Sequence, residues 1–124
     1  SKSGTASEAM VELIDVYPTL ADLAELKAPN HLQGISLRPL LGHPDRLGKR
    51  KYAYSMVTRG PKNLGYALRN QNWRYGKWPD GEELYNLRTD PQEKNNLAQK
   101  DHLKERLEDF RDILAEKQNL FEKN

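Results

Sequence analysis

The 124-residue sequence contains no cysteine, which removes disulfides, thiolate metal sites and a cysteine nucleophile from this stretch. No segment approaches the roughly 18–20 apolar residues of a membrane-spanning helix. The first residues also lack the order of a signal peptide. Histidine is scarce: His31, His43 and His102 are the only three, and none stands at metal-ligand spacing from another. There is no H-E-x-x-H pair, phosphate-cradling glycine loop or acidic calcium loop. Apolar residues make up 36% against 31% charged, and the mean hydropathy is −0.93, so the core is thin. Two Trp and six Tyr nevertheless supply enough large apolar surface for folding. Completion of that core by something outside the chain stays open.

The length fits one domain with a single core. A formal charge of +2 conceals an asymmetry. Residues 1–43 sum to −2, residues 44–79 to +8 and residues 80–124 to −4. The cationic middle holds Arg46, Lys49, Arg50, Lys51, Arg59, Lys62, Arg69, Arg74 and Lys77 against Asp45 alone. Such a block either pairs with its own acidic flanks or meets an anionic partner.

Apolar periodicity at Val16, Leu20, Leu23 and Ala24 predicts a helix. Asp15 stands at its N-cap, Pro18 in its first turn and its end near Lys27, with an extended lead-in over residues 10–14. A continuous helix from Ser7 is disfavoured because Pro18 would kink it. Glycines and prolines then break residues 32–51, leaving room for one helical turn around Leu37–Leu41. Strand-like alternation covers residues 51–59, 65–70, 73–78 and 82–87, joined by Gly60-Pro61-Lys62-Asn63, Gln71-Asn72 and Pro79-Asp80-Gly81. Asp90-Pro91-Gln92-Glu93 has the form of a capping box, and Asn95 and Asn96 suit a left-handed exit from that turn. From Gln99 the period lengthens: Leu103, Leu107, Phe110 and Leu114 form an amphipathic stripe that Ile113 and Phe121 widen. The predicted class is α+β, with an N-terminal helix, a loop, and a four-stranded antiparallel sheet packed by the C-terminal helix. Residues 1–50 form the helix and connecting loop, and residues 51–124 the sheet and final helix.

Candidate chemistry is sparse. Ser55 precedes Arg59 by four residues with no activating His or Asp nearby, and a plain strand residue is the preferred reading. The histidines read as solvated loop and helix residues. "RLGKRK" (46–51) lacks a nucleic-acid recognition motif and reads as a solvated basic loop. Arg69, Trp73, Arg74, Tyr75 and Trp78 interleave cations with aromatics, as binding platforms do. Strand alternation instead directs much of this set into the core.

Taken in order, "VELIDVYPTLADLAEL", "LQGISLRPLLG", "GYALRNQNWRYGKW" and "EELYNLRTDPQEKNNLA" resemble the C-terminal part of a type I sulfatase of the alkaline-phosphatase-like superfamily. "YAYSMVTRG" and the "GYALR…WRY…W" hairpin resemble the iduronate-2-sulfatase-like subgroup. The resemblance spans roughly residues 8–98. It implies that a preceding α/β domain carries the chemistry, using a formylglycine made within a C/S-x-P-x-R motif and a calcium ion. Neither cofactor is expected in this chain. Ser55 to Arg59 has the motif's outer spacing, but Val57 stands where proline is required.

The resemblance therefore implies a sulfatase fragment that is inactive alone and expected to support the fold and one wall of the substrate pocket. No catalytic or metal-binding residue is assigned to it. Arg59 is the candidate substrate-facing residue, with an intradomain salt bridge as its alternative role; Arg69 and Arg74 are expected to be structural. The implied partners are the parent's N-terminal catalytic domain and a sulfated sugar or glycosaminoglycan. No nucleic acid or membrane span is implied. The expected compartment is periplasmic or secreted for a bacterial parent, lysosomal for a eukaryotic one. Two rival classes remain: a stand-alone polyanion- or carbohydrate-binding module, and an interaction module using an exposed stripe along Leu103–Leu114.

Overall fold

The structure, a computed structural model, describes residues 4–58, 60 and 63–122, with side-chain surroundings as far as residue 119. It divides into two compact units, Ser1–Ala53 and Tyr54–Asn124.

In the first unit, helix α1 (Val16–Leu23) follows a 3-10 turn over Leu13–Asp15. The turn replaces part of the extended lead-in expected for residues 10–14. Asp15 occupies the N-cap position but makes no side-chain bond to the helix. Its backbone is already helical (φ −76°, ψ −16°), whereas a capping side chain works from an extended residue. The carboxylate turns back instead. One oxygen accepts the Glu12 N–H at 2.8 Å and the other accepts the Ile35 N–H at 2.9 Å. Thr19 Oγ1 donates to the Asp15 carbonyl and accepts the Leu37 N–H at 2.8 Å.

Helix α1 stops at Leu23, short of the Lys27 expectation. Glu25 enters the left-handed region at φ 57°. The Leu26 N–H then bonds the Ala21 carbonyl at 2.9 Å, and the Glu25 N–H bonds that of Asp22 at 3.2 Å. This is a Schellman ending, built without the glycine that would have announced it. A single turn, α2 (Arg38–Gly42), lies where one was expected. Gly34 is there for a close approach: a Cβ would sit 2.1 Å from the Ile14 carbonyl oxygen. Its bareness lets residues 34–35 lie against the 3-10 turn, within reach of Asp15.

The second unit is a four-stranded antiparallel sheet in the order β1-β2-β3-β4, and the whole chain is α+β. The strands are β1 (Ala53–Thr58), β2 (Leu64–Arg69), β3 (Trp73–Trp78) and β4 (Gly81–Asn86). Of the expected Gly60–Asn63 turn, Pro61 and Lys62 lie outside the described residues. The register aligns Leu68 with Tyr75 and Tyr75 with Leu84, so three fully buried side chains form one row across the sheet. Helix α3 (Lys104–Glu122) covers that row with Leu107, Phe110 and Leu114. The rings of Tyr75 and Phe110 stack at 5.7 Å. Each such side chain contributes about 1.5–3 kcal/mol on burial. The stripe expected from the 4–3–4 spacing is thus largely the buried face, while the Phe121 side chain lies outside the described residues.

The segment between β4 and α3 departs from the predicted capping box. Asp90 does accept backbone N–H groups, from Lys94 at 3.1 Å and Asn95 at 2.8 Å. No helix begins there, because Glu93 takes the left-handed conformation at φ 54° and its carboxylate pairs with Arg74 rather than returning to the cap. Asn96 serves as a strand surrogate. Its amide oxygen accepts the Leu84 N–H at 3.0 Å and its nitrogen donates to the Glu82 carbonyl at 3.0 Å. The Leu97 N–H adds a bond to the Leu84 carbonyl at 2.8 Å. Together these cover the outer edge of β4, which would otherwise offer unpaired backbone groups.

Candidate functional site

The cationic block resolves residue by residue. Arg50 is internal: its guanidinium meets Glu12 at 3.0 Å and Asp15 at 2.5 Å, with all three side chains nearly or fully buried. Thirty-five residues separate Arg50 from Asp15, and no local spacing signals the pair. Arg74 is also internal, paired with Glu93, 3.8 Å from Glu83 and stacked over Tyr85 at 5.6 Å. Its expected structural role is what the contacts show. Arg106 stacks over Trp73 at 4.8 Å. Arg46, Lys49, Arg69 and Lys77 remain exposed. The Arg59 assignment lies outside the described residues.

Beneath α3, Glu82 is the hub of a second polar cluster missed from sequence. Tyr75 donates its hydroxyl to the carboxylate at 2.5 Å, and Arg111 grips both oxygens, at 2.9 and 2.5 Å. The Arg111 bonds, aided by the Tyr75 hydroxyl, hold the Glu82 carboxyl at about 2 despite its partial burial. Burial, then the bond to Glu82, pushes the Tyr75 hydroxyl well above its ordinary range. A phenol held in that state, below an arginine-neutralised carboxylate, pins helix to sheet. It is not poised for proton transfer.

The residues weighed for chemistry are not brought together. Ser55 is exposed on β1, and His31, His43 and His102 are all exposed. Among the described residues, no three His, Asp or Glu side chains converge as a metal site would require. The described residues do not fit a calcium site, and without cysteine or a motif proline at Val57 the sequence does not fit formylglycine formation. No helix among the described residues is long and apolar enough to cross a membrane.

The first unit shows an inverted burial. Its fully described interior positions are Asp15, Pro18 and Thr19, while Leu13 is 89%, Leu20 61% and Tyr17 58% exposed. Val16 and Leu23 extend the same apolar surface of α1. The second unit is conventional by contrast, its α3 stripe buried. That burial contradicts an interaction module built on an exposed Leu103–Leu114 face.

The chain has known counterparts. Residues 1–120 match the family described as N-sulphoglucosamine sulphohydrolase, C-terminal, and the chain belongs to that sulfatase C-terminal family. It is 28% identical to an N-acetylglucosamine-6-O-sulfatase of Bacteroides thetaiotaomicron, over 99% of this chain and 24% of that protein. A Δ4,5-hexuronate-2-O-sulfatase of the same organism is 35% identical over 68% of this chain and 19% of that one. Among solved structures, a protein bound to its substrate D-glucosamine-2-N,6-O-disulfate superposes with a TM-score of 0.78 at 27% identity, over 89% of this chain and 24% of that one. The chain thus spans about a quarter or less of the length of these relatives.

Proposed function

We propose that this chain is the C-terminal subdomain of an enzyme that hydrolyses sulfate esters of sulfated sugars or glycosaminoglycans, and that it has no activity alone. The observation that carries the reading is the inverted burial of α1: Leu13, Val16, Tyr17, Leu20 and Leu23 form an apolar face left exposed among the described residues. A face of that kind marks an interaction surface, and the preceding catalytic domain is the partner the family offers. Formylglycine and calcium belong to that domain, since the residues here fit neither. In this arrangement the sheet unit walls one side of the substrate pocket, and Arg59 is the candidate contact for the sulfated sugar. Exposed Arg46, Lys49 and Arg69 favour the approach of a polyanion. The reading carries with it a parent that works in the periplasm or medium of a bacterium, or in the lysosome of a eukaryote.

The test is sulfate release from sulfated glucosamine and hexuronate oligosaccharides by the full-length parent, with the 124-residue chain assayed beside it. Turnover by the parent alone is expected. Turnover by the 124-residue chain, or a parent without C/S-x-P-x-R upstream of Ser1, overturns the reading.

A further inference from the structure

The first unit holds a preformed socket. A cavity of about 180 Å³ lies between the α2 turn and the loop that follows it, walled by Met10, Ile35, Leu40 and Leu47 and bordered by Arg46 and Lys49. Its walls are tied in place. The Ile35 N–H is held by Asp15 and the Leu37 N–H by Thr19 Oγ1, and the Leu40 N–H returns to the Leu37 carbonyl at 2.9 Å. Gly48 brings the loop close: a Cβ there would lie 3.1 Å from the Ala9 Cβ and 3.6 Å from Leu40 Cδ1. The one hydroxyl in the lining, Ser36, is already engaged, donating to Asp22 at 2.5 Å and accepting the Arg38 N–H at 3.2 Å. The interior therefore offers apolar contact.

The rim differs. Arg38 pairs with Asp22, and Arg50 with Glu12 and Asp15, but among the described residues the side chains of Arg46 and Lys49 meet no acid or other acceptor. Leu47, between them in sequence, is 76% exposed. Two unpaired cations around an apolar opening attract an anion that has an apolar neighbour. The cavity slightly exceeds the roughly 150 Å³ that admits one benzene-sized ring, and it falls below the roughly 300 Å³ at which small-molecule pockets begin. A single apolar side chain fills it. Interface hot spots have this form, an anchor seated in a pocket with charges around it.

We propose that this cavity is the socket for one aromatic or leucine side chain of the preceding catalytic domain, whose neighbouring carboxylate pairs with Arg46 and Lys49. Naming that domain as the partner rests on the proposed function; the socket, its size and its charge do not. The chain spans about a quarter or less of the length of its relatives, so a parent of their length has ample chain to supply the anchor. One carboxylate on two cations leaves a positive surplus, which keeps this surface attractive to a polyanion. The socket adds a charged, directional contact to the apolar face of α1, and such contacts fix register between partners.

The test is hydrogen exchange, read by mass spectrometry on peptides covering residues 40–49, in the full-length parent and in the 124-residue chain. Exchange there should be at least about tenfold slower in the parent. Arg46→Glu with Lys49→Glu should remove that protection in the parent, as should Leu47→Asp, while Arg46→Lys with Lys49→Arg keeps it. In the 124-residue chain the charge-reversed pair should exchange as the unsubstituted chain does, because among the described residues neither side chain has a partner to lose. That comparison separates a lost contact from a disturbed fold. Equal exchange in parent and chain, or protection that survives charge reversal, overturns the proposal. Saturable binding of 3-phenylpropionate by the chain, with no protection in the parent, overturns it in favour of a free organic anion. Protection that appears in the chain alone as its concentration rises overturns it in favour of a second copy. Each outcome is read whether or not the parent releases sulfate, so the sulfatase reading stands or falls separately.

Discussion

Replacing Glu82 with Gln keeps the shape of the side chain and removes the charge that Arg111 holds. In the folded chain the Glu82 carboxyl sits at about 2, against an ordinary value of 4.5. Taken at face value, that depression links to roughly 3 kcal/mol of stability. Arg111 is 45% exposed and Glu82 22%, so water and salt screen the pair, and about 1–2 kcal/mol is the expected cost at pH 7. The folded value lies below the unfolded one, so the contribution is complete above pH 4.5 and fades as pH falls toward 2. Urea unfolding of both chains, followed by far-ultraviolet circular dichroism, gives the stability gap at each pH. The gap should hold from pH 7 to about 5 and then shrink steadily toward pH 2. A gap that stays constant down to pH 3 would refute the ionic account and assign the cost to packing around Tyr75.

Two further substitutions probe the other cohesive features. Gly34→Ala drives a Cβ into the Ile14 carbonyl, which cannot yield as a flexible side chain would; at least about 2 kcal/mol of destabilisation and faster amide exchange at Ile35 are expected, and unchanged exchange there would dismiss the close-approach argument. Asn96→Ala removes the donor and acceptor that cover β4, with a cost of about 2–3 kcal/mol in urea unfolding; Asn95→Ala, beside it, should cost far less, and equal losses would show that the edge covering is not the cause.

How much of this was legible beforehand depends on the range of the interactions. The strands declared themselves because alternation is a two-residue signal, and β3 falls on its expected residues, Trp73–Trp78. The stripe of α3 was readable for the same reason, since Leu107, Phe110 and Leu114 are neighbours on one turn-to-turn face. The end of α1 was not, because Glu25 adopts a left-handed backbone that its side chain gives no reason to expect. The capping box at Asp90 had the right letters, but Arg74 drew Glu93 away from it. A local motif lost to a charge on another strand.

The family resemblance was carried by ordered motifs rather than by any single site, and the family match over residues 1–120 agrees with it. The sequence by itself determined the class and the strand and helix periods, because these depend on composition and near neighbours. Only the tertiary structure decided which charges are structural. Arg50 pairs with Asp15 across 35 residues, and Arg111 with Glu82 across 29. It also decided that α1 turns its apolar side outward, and that Gly65 makes room for the Trp78 ring. Pairings at such separations depend on how the chain folds back on itself, and no window of sequence contains both partners.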